Sequence, residues 1–267
     1  MADILETIAE HNRELVRQAK LTVSEGEMRD IGEQASALQR DSGREFLFER
    51  SLASEGISFI CECKKASPSK GLIAPDFPYL QIAREYEEAG ASAISVLTEP
   101  KWFMGSVKYL EEISNAVSVP CLRKDFIVDE YMIYEAASKG ASAILLIASI
   151  LDAGTFGRYM RLADSLGLSV LAEAHDEEEV RMVLGEGARV IGVNNRNLRD
   201  FSVDPSNCLR LREQVGDSAI FVAESGISSH GDIMVLADNK VDAVLIGESV
   251  MRAEDKKAFI RNLRYGE

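Results

Sequence analysis

The chain has 267 residues and a net charge of −14, with 46% apolar and 28% charged residues. That leaves room for one large domain with a sizeable core and excludes a disordered chain. The acidic balance disfavours nucleic acid and anionic membrane surfaces as partners, though a local basic pocket can still take a small anion.

In chain order, Met1-Ala-Asp-Ile-Leu-Glu lacks the basic and apolar regions of a signal peptide, and the expectation is a cytoplasmic protein. Residues 1–56 read as an N-terminal helical extension, with helices over Ile4–Lys20 and Ile31–Gln39 followed by polar connectors. From Ile57 a rhythm begins. Short β-branched, apolar runs appear at Ile57–Lys65, Ala91–Thr98, Val119–Asp125 and Ala141–Ser149, then at Leu168–His175, Val190–Asn197, Ala219–Gly226 and Val241–Ser249. The segments between them have amphipathic helical spacing, as in Tyr79–Ala89, Asp129–Lys139 and Ala153–Leu166. Gly90, Gly140, Gly167 and Gly187 stand where each helix must stop in a left-handed residue before the next strand.

Eight strands alternating with helices predict a parallel sheet, and units of this length fit an α/β fold of the (β/α)8 TIM-barrel type. Residues 1–267 then form one barrel domain that carries the N-terminal extension. A doubly wound open sheet is the alternative. It normally carries a glycine-rich phosphate loop after its first strand, whereas this chain has Lys64-Lys-Ala-Ser-Pro-Ser-Lys-Gly there.

Strands buried on both faces should be almost wholly apolar, and these break that rule at their C-terminal ends. Side chains alternate across a strand. Glu62 and Lys64 therefore share a face, as do Leu122 and Lys124, Glu173 and His175, and Asn194 and Arg196; Glu224 ends the seventh strand. If those faces point inward, Glu62, Lys64, Lys124, Glu173, Asn194, Arg196 and Glu224 converge on the mouth where barrel active sites lie. Ser225-Gly226 and Gly247-Glu248-Ser249, after the seventh and eighth strands, stand where barrels commonly bind phosphate through backbone N–H groups.

Other residues have plainer readings. Cys61, Cys63, Cys121 and Cys208 do not make a disulfide scaffold, and Cys61-Glu62-Cys63 lacks zinc-site spacing, so no metal is expected. Cys61 and Cys63 should face the surrounding helices. His11 and His230 have no partner in view, His175 reads as a rim residue, and Asp176–Glu179 should open a helix. Trp102-Phe103 reads equally well as a loop anchor or as an aromatic wall for a ligand.

With these residues in place, the sequence resembles the indole-3-glycerol phosphate synthase family. The matching segments are Glu62-Cys-Lys-Lys-Ala-Ser-Pro-Ser-Lys-Gly, Leu97-Thr-Glu-Pro-Lys-Trp-Phe-Met-Gly-Ser and Leu122-Arg-Lys-Asp-Phe-Ile-Val-Asp. They continue with Leu171-Ala-Glu-Ala-His, Ile191-Gly-Val-Asn-Asn-Arg-Asn-Leu, Val222-Ala-Glu-Ser-Gly-Ile and Leu245-Ile-Gly-Glu-Ser-Val-Met. The resemblance runs through all eight units. It implies a lyase of tryptophan biosynthesis that closes the indole ring of 1-(2-carboxyphenylamino)-1-deoxy-D-ribulose 5-phosphate with loss of carbon dioxide and water. No metal or organic cofactor is implied, and the chain would be a monomer with at most weak association with other enzymes of the pathway.

By the same resemblance Lys124 is the leading general acid, and Glu173 acts in hydroxyl loss and proton transfer with Lys64 alongside it. The division of acid and base duties among Lys64, Lys124 and Glu173 stays open. Glu62 and Glu224 would orient the lysines, and Asn194 the reacting groups. Ser67 and Arg196 would hold anionic ends of the substrate, and Phe103, Phe126 and Leu198 would flank its aromatic ring. Phosphate would sit on the backbone of Ser225, Gly226, Gly247, Glu248 and Ser249. Trp102 and Asn195 depart from the family's common tyrosine and serine. Cations near a lysine lower its pKa and carboxylates raise it; both are expected here, so the sequence does not sign the shift on Lys124 or Lys64.

Overall fold

The computed structural model describes residues 4–197 and 201–267. Eight parallel strands close into a barrel: β1 (Ser58–Cys63), β2 (Ala93–Leu97), β3 (Cys121–Lys124), β4 (Ala143–Ile147), β5 (Ser169–Ala174), β6 (Val190–Asn194), β7 (Ile220–Glu224) and β8 (Ala243–Ile246). Each strand pairs with its sequence neighbours, and β1 pairs with β8 through Ser58–Ala243 to Cys61–Ile246, which closes the ring. No open edge remains among these strands.

Strand alternation separates two cores. Ile60, Ala93, Leu122, Leu145, Leu171, Val190, Val222 and Leu245 fill the barrel. Phe59, Cys61, Cys63, Ile94, Cys121, Ile144, Ile191 and Val244 point outward and pack under the helices. Cys61 and Cys63 thus stand where expected, as small buried hydrophobes, and Cys121 joins them. The helix-ending glycines also adopt the left-handed backbone, with φ of +83° at Gly90 and +77° at Gly140.

The N-terminal helices differ in extent from the reading above. α1 covers Ile4–Thr22 and α2 covers Glu25–Asp41. Ser24 caps α2 and Glu27 completes a reciprocal capping box, so this helix starts on a polar turn that apolar spacing does not reveal. A third helix, α3 (Leu47–Leu52), occupies what reads as polar connector, and α4 (Tyr79–Glu88), α5 (Val107–Ala116), α6 (Glu130–Ser138), α7 (Ala153–Ser165), α8 (Glu177–Gly185), α9 (Ser206–Val215), α10 (His230–Asp238), α11 (Glu248–Arg252) and α12 (Lys256–Tyr265) follow along the chain. Phe48 and Leu52 of α3 join the inner core from the strand-start end, where the Ser58 hydroxyl donates to the Leu52 carbonyl.

α1 lies at the other end, over the mouth. Leu5 and Ile8 pack with Phe126 and Ile147 in the inner core. Buried Asn12 ties this helix to the end of β3, with Nδ2 donating to Asp125 Oδ1 at 2.8 Å and to the Phe126 carbonyl at 2.9 Å. Asp125 also accepts from the Phe126 N–H at 2.8 Å, from the Thr98 hydroxyl, and from Arg123 at 3.4 Å. The turn carrying Lys124 and Phe126 is therefore fixed from three directions. α2 docks on α6 (Glu130–Ser138) at Gly32, where an added Cβ would come within 2.8 Å of the Tyr134 carbonyl. His230 is not partnerless: Nδ1 lies 2.9 Å from the Leu263 carbonyl of α12 (Lys256–Tyr265), an opportunity that only the folded packing creates. No helix among the described residues is long and apolar enough to cross a membrane.

Asn12→Ala would leave the Asp125 carboxylate and the Phe126 carbonyl each short of a donor in a dry place. The expected loss is about 2 kcal/mol in urea unfolding, and a loss below about 0.5 kcal/mol would mean that water replaces the amide.

Candidate active site

The C-terminal ends of the strands and the loops beyond them surround a cavity of about 410 Å³, within the usual range for small-molecule sites. Glu62, Lys64, Lys124, Glu173, Asn194, Arg196 and Glu224 all line it, as do Ser67, Phe103, Phe126, Ser225, Gly226, Gly247, Glu248 and Ser249. Leu198 lies outside the described residues. One side of the cavity is apolar, built by Leu5 and Ile8 of α1 with Phe103, Phe126, Leu145 and Ile147. The opposite side is the small-residue turns after β7 and β8.

Two lysines, paired with three carboxylates, occupy the floor. The Lys124 ammonium sits 2.8 Å from Glu173 Oε2 and 3.2 Å from Glu224 Oε2. Lys64 pairs with Glu62, whose other oxygen accepts from the Ser95 hydroxyl at 3.4 Å. Room for these carboxylates comes from missing side chains. A Cβ on Gly192 of β6 would collide with Glu224 Oε1, and one on Gly247 with Glu62 Oε1.

The turns after β7 and β8 are shaped by backbone conformation. Ser225 and Gly226 both have positive φ, +67° and +78°. A Cβ on Gly226 would come within 2.8 Å of Val203. Asn195 donates to the Ser225 carbonyl at 3.2 Å, and the Ser249 hydroxyl donates to the Ile227 carbonyl at 3.1 Å. Glu248 begins the short helix α11 (Glu248–Arg252); its carboxylate lies 3.2 Å from Arg252, 3.6 Å from Lys70 and 3.9 Å from Arg196. Arg196 also donates to the Phe201 carbonyl at 3.2 Å. Three cations thus gather beside these turns, each within 4 Å of one carboxylate.

Several contributors escape the sequence reading. Glu99 is fully buried, and its carboxylate accepts from the backbone N–H groups of Lys101 (2.9 Å), Trp102 (2.7 Å) and Phe103 (2.9 Å). It shapes the loop so that Phe103 reaches the cavity while Trp102 meets the His11 ring edge-on at 5.2 Å. Wall and anchor are therefore both present, one in each residue. Glu99 lies two positions beyond Leu97, so the alternation that singles out Glu62 and Glu173 also points to it. His175 follows β5 behind the cavity lining, not at its rim, and its Nε2 is 3.5 Å from Glu173 Oε1. Asp176 caps α8 (Glu177–Gly185) by accepting from the Glu178 and Glu179 N–H groups.

The charges set one another's protonation. Burial alone would push the Lys124 ammonium down, but Glu173, Glu224 and Glu62 together hold it above its ordinary value. Burial raises Glu173, and the cations Lys124 and His175 overcome that and hold it below the usual carboxylate range. Glu224 goes the other way, raised to about 7, because burial and the Glu173 charge outweigh its share of Lys124. One ammonium cannot fully compensate two buried carboxylates. Among the described residues no group of three or more His, Cys, Asp or Glu side chains is placed to hold a metal ion.

Glu224 keeps its proton in the folded chain at pH values where the unfolded chain has lost it. Stability that is complete below the ordinary carboxylate range is then lost as pH rises through about 7. The urea midpoint should fall between about pH 5 and about pH 8, and Glu224→Gln should flatten that fall. A midpoint that rises across this window would contradict the assignment.

The model of the indole-3-glycerol phosphate synthase family matches residues 5–263. Curated relatives carry the same description. One from Ruminiclostridium cellulolyticum is 49% identical over 261 residues, covering 98% of each chain. One from Endomicrobium trichonymphae is 52% identical over 217 residues, covering 81% of this chain and 84% of the relative. Solved structures show the fold alone: 3-hexulose-6-phosphate synthase from Salmonella typhimurium superposes with a TM-score of 0.64 at 16% identity, covering 78% of this chain and 96% of that one. Thiamine phosphate pyrophosphorylase from Pyrococcus furiosus does so at 0.58 and 18% identity, covering 83% and 95%. The family match spans nearly every element that builds the cavity, and the chain belongs to the indole-3-glycerol phosphate synthase family, carboxy-lyases of tryptophan biosynthesis.

Proposed function

We propose that this chain closes the indole ring of 1-(2-carboxyphenylamino)-1-deoxy-D-ribulose 5-phosphate by acid–base catalysis centred on Lys124. The observation that carries this reading is the Lys124 ammonium, buried at the cavity floor within 3.2 Å of both Glu173 and Glu224. An acid fixed there meets a carbonyl oxygen without a reorganising solvent shell.

The substrate's phosphate would rest on the backbone of Ser225, Gly226, Gly247, Glu248 and Ser249, where Arg196, Lys70 and Arg252 offset its charge. Its aromatic ring would lie against Phe103, Phe126 and the α1 side chains, with Ser67 and Arg196 near its anionic ends. The ring carbon that bears the carboxylate attacks the ribulose carbonyl while Lys124 protonates the carbonyl oxygen. Positive charge then collects on the amine nitrogen, where the Glu62 carboxylate stabilises it while Glu224 holds Lys124 and Asn194 aligns the reacting atoms. Loss of carbon dioxide returns those electrons to the ring. Glu173 protonates the departing hydroxyl, which leaves as water, and Lys124, now a free amine, takes the C–H proton that restores aromaticity. Lys64 with Glu62 is a second acid–base pair on the cavity floor, and its proximity favours it as the alternative donor for hydroxyl loss. The chain acts as a single barrel unit on one small sugar phosphate, with α1 supplying part of its lid.

Lys124→Met is expected to cut turnover by the ~10²–10⁴-fold typical of a lost general acid while leaving affinity for a phosphate-bearing analogue largely intact. Near-normal turnover would remove Lys124 from the role. Glu173→Gln and Lys64→Met divide the dehydration step: the variant that accumulates the decarboxylated, still-hydroxylated indoline identifies its acid. An unchanged rate in Glu173→Gln would assign the step to Lys64.

A further inference from the structure

The ring closure consumes a proton. The substrate's carboxylate departs as carbon dioxide, so substrate anion plus H⁺ gives indole-3-glycerol phosphate, carbon dioxide and water. Lys124 gives one proton to the carbonyl oxygen and recovers one from the C–H bond broken in aromatisation, so it ends as it began. The proton that leaves in water comes from Glu173, and refilling Glu173 from bulk water is the net uptake. Glu173 is 2% exposed, and its cavity side is covered once substrate is bound. The proton needs an entrance from elsewhere.

His175 offers one. Among the described residues it is not part of the cavity lining, and its buried Nε2 has no hydrogen-bond partner there, lying 3.5 Å from Glu173 Oε1. Its Nδ1 lies 3.3 Å from Glu179 Oε2, an oxygen that also accepts the backbone N–H of His175 at 2.7 Å. Asn207 of α9 (Ser206–Val215) donates to the His175 carbonyl at 3.1 Å. The ring is thus held between a buried carboxylate of the site and a carboxylate whose side chain is 19% exposed. The charged groups acting on it are Glu173 on its own strand, Glu179 on α8 and Glu224 on β7, all acidic. The order of nitrogen, carboxylate and solvent edge is that of a proton wire.

We propose that His175 is the proton port of the site, passing its Nε2 proton to Glu173 Oε1 and being recharged from bulk water along its Glu179 edge. The Nε2–H bond breaks and an Oε1–H bond forms. The ring, left neutral with its remaining proton on Nδ1, then turns so that the bare Nε2 reaches the Glu179 edge, takes a proton there from water and turns back. His175 acts through Glu173 and is a positioning and relay residue. The proposal rests on the reading above in which Glu173 is the acid for hydroxyl loss.

Lys124 times the transfer. Burial favours the neutral form of Glu173, and the Lys124 charge is the strongest influence keeping it ionised. When Lys124 gives its proton to the carbonyl oxygen, that influence disappears and Glu173 becomes a better proton acceptor. The acidic surroundings of His175 overcome the lowering by burial and raise its pKa, so an imidazolium stands ready. The first proton transfer of the reaction therefore enables the second.

The test compares the full-length parent with His175→Gln, which keeps a polar side chain that cannot relay a proton. Between about pH 6 and about pH 9, kcat should fall by about tenfold, more steeply as pH rises, with KM within about twofold. The solvent deuterium isotope effect on kcat should increase, and free imidazole should restore part of the rate. A kcat within about twofold of the parent, or a fall with an unchanged isotope effect and no imidazole response, would overturn the relay. Glu179→Gln provides the same readouts with the His175–Glu173 contact intact if His175→Gln does not fold. Glu173→Gln, run alongside, separates the two claims. Near-parent turnover there would remove Glu173 from hydroxyl loss, and the relay with it. A disabled Glu173→Gln beside a normal His175→Gln would remove the relay alone.

Discussion

One ammonium shared by two buried carboxylates is the constraint on which this site depends. Lys124, Glu173 and Glu224 come from β3, β5 and β7, and their side chains meet at the top of the inner core. A triad with two potential negative charges and one positive is frustrated by design in a dry place. Below about pH 7 the frustration is relieved by a proton on Glu224, which leaves Lys124 and Glu173 as a neutral pair. The same arrangement makes each group's proton affinity respond to the others, which a reaction with several proton transfers can use.

The surrounding architecture keeps that triad in place. Closure of the barrel fixes the strand ends relative to one another, and Gly192 and Gly247 leave space into which carboxylates fit. The Asp125 network locks the turn beyond Lys124 and fastens α1 across the mouth. Glu99 performs the corresponding task for the loop beyond β2. Glu99 and Asp125 border the cavity but are taken up by these hydrogen bonds, whereas Glu62, Glu173 and Glu224 have lysines as partners. An apolar wall beside them excludes water on the side where an aromatic ring would lie.

The barrel was legible because its strands keep polar residues to their C-terminal ends, and alternation then assigns each to the inside. Lys124, Glu173 and Glu224 follow from that rule, and Glu99 follows from it equally when counted from Leu97. Gly192 does not. Its role depends on which side chain the neighbouring strand presents beside it, and strand register is a property of the closed sheet. The position of α1 over the mouth is hidden for the same reason, since amphipathic spacing says that a helix docks but not where. α2 extends beyond its apolar spacing because a capping box, not hydrophobicity, sets its start. His175 shares a face with Glu173 in the sequence, but its approach to that carboxylate depends on the anchoring by Glu179 and Asn207.

The most direct measurement is a single turnover of 1-(2-carboxyphenylamino)-1-deoxy-D-ribulose 5-phosphate in chelator, following indole fluorescence and carbon dioxide together. The account predicts an indole signal without added metal, one carbon dioxide per indole, and uptake of one proton from a weakly buffered solution. Folded protein that binds the reduced substrate analogue but forms no indole would contradict it, and would mean that the triad serves a different reaction in the same pocket.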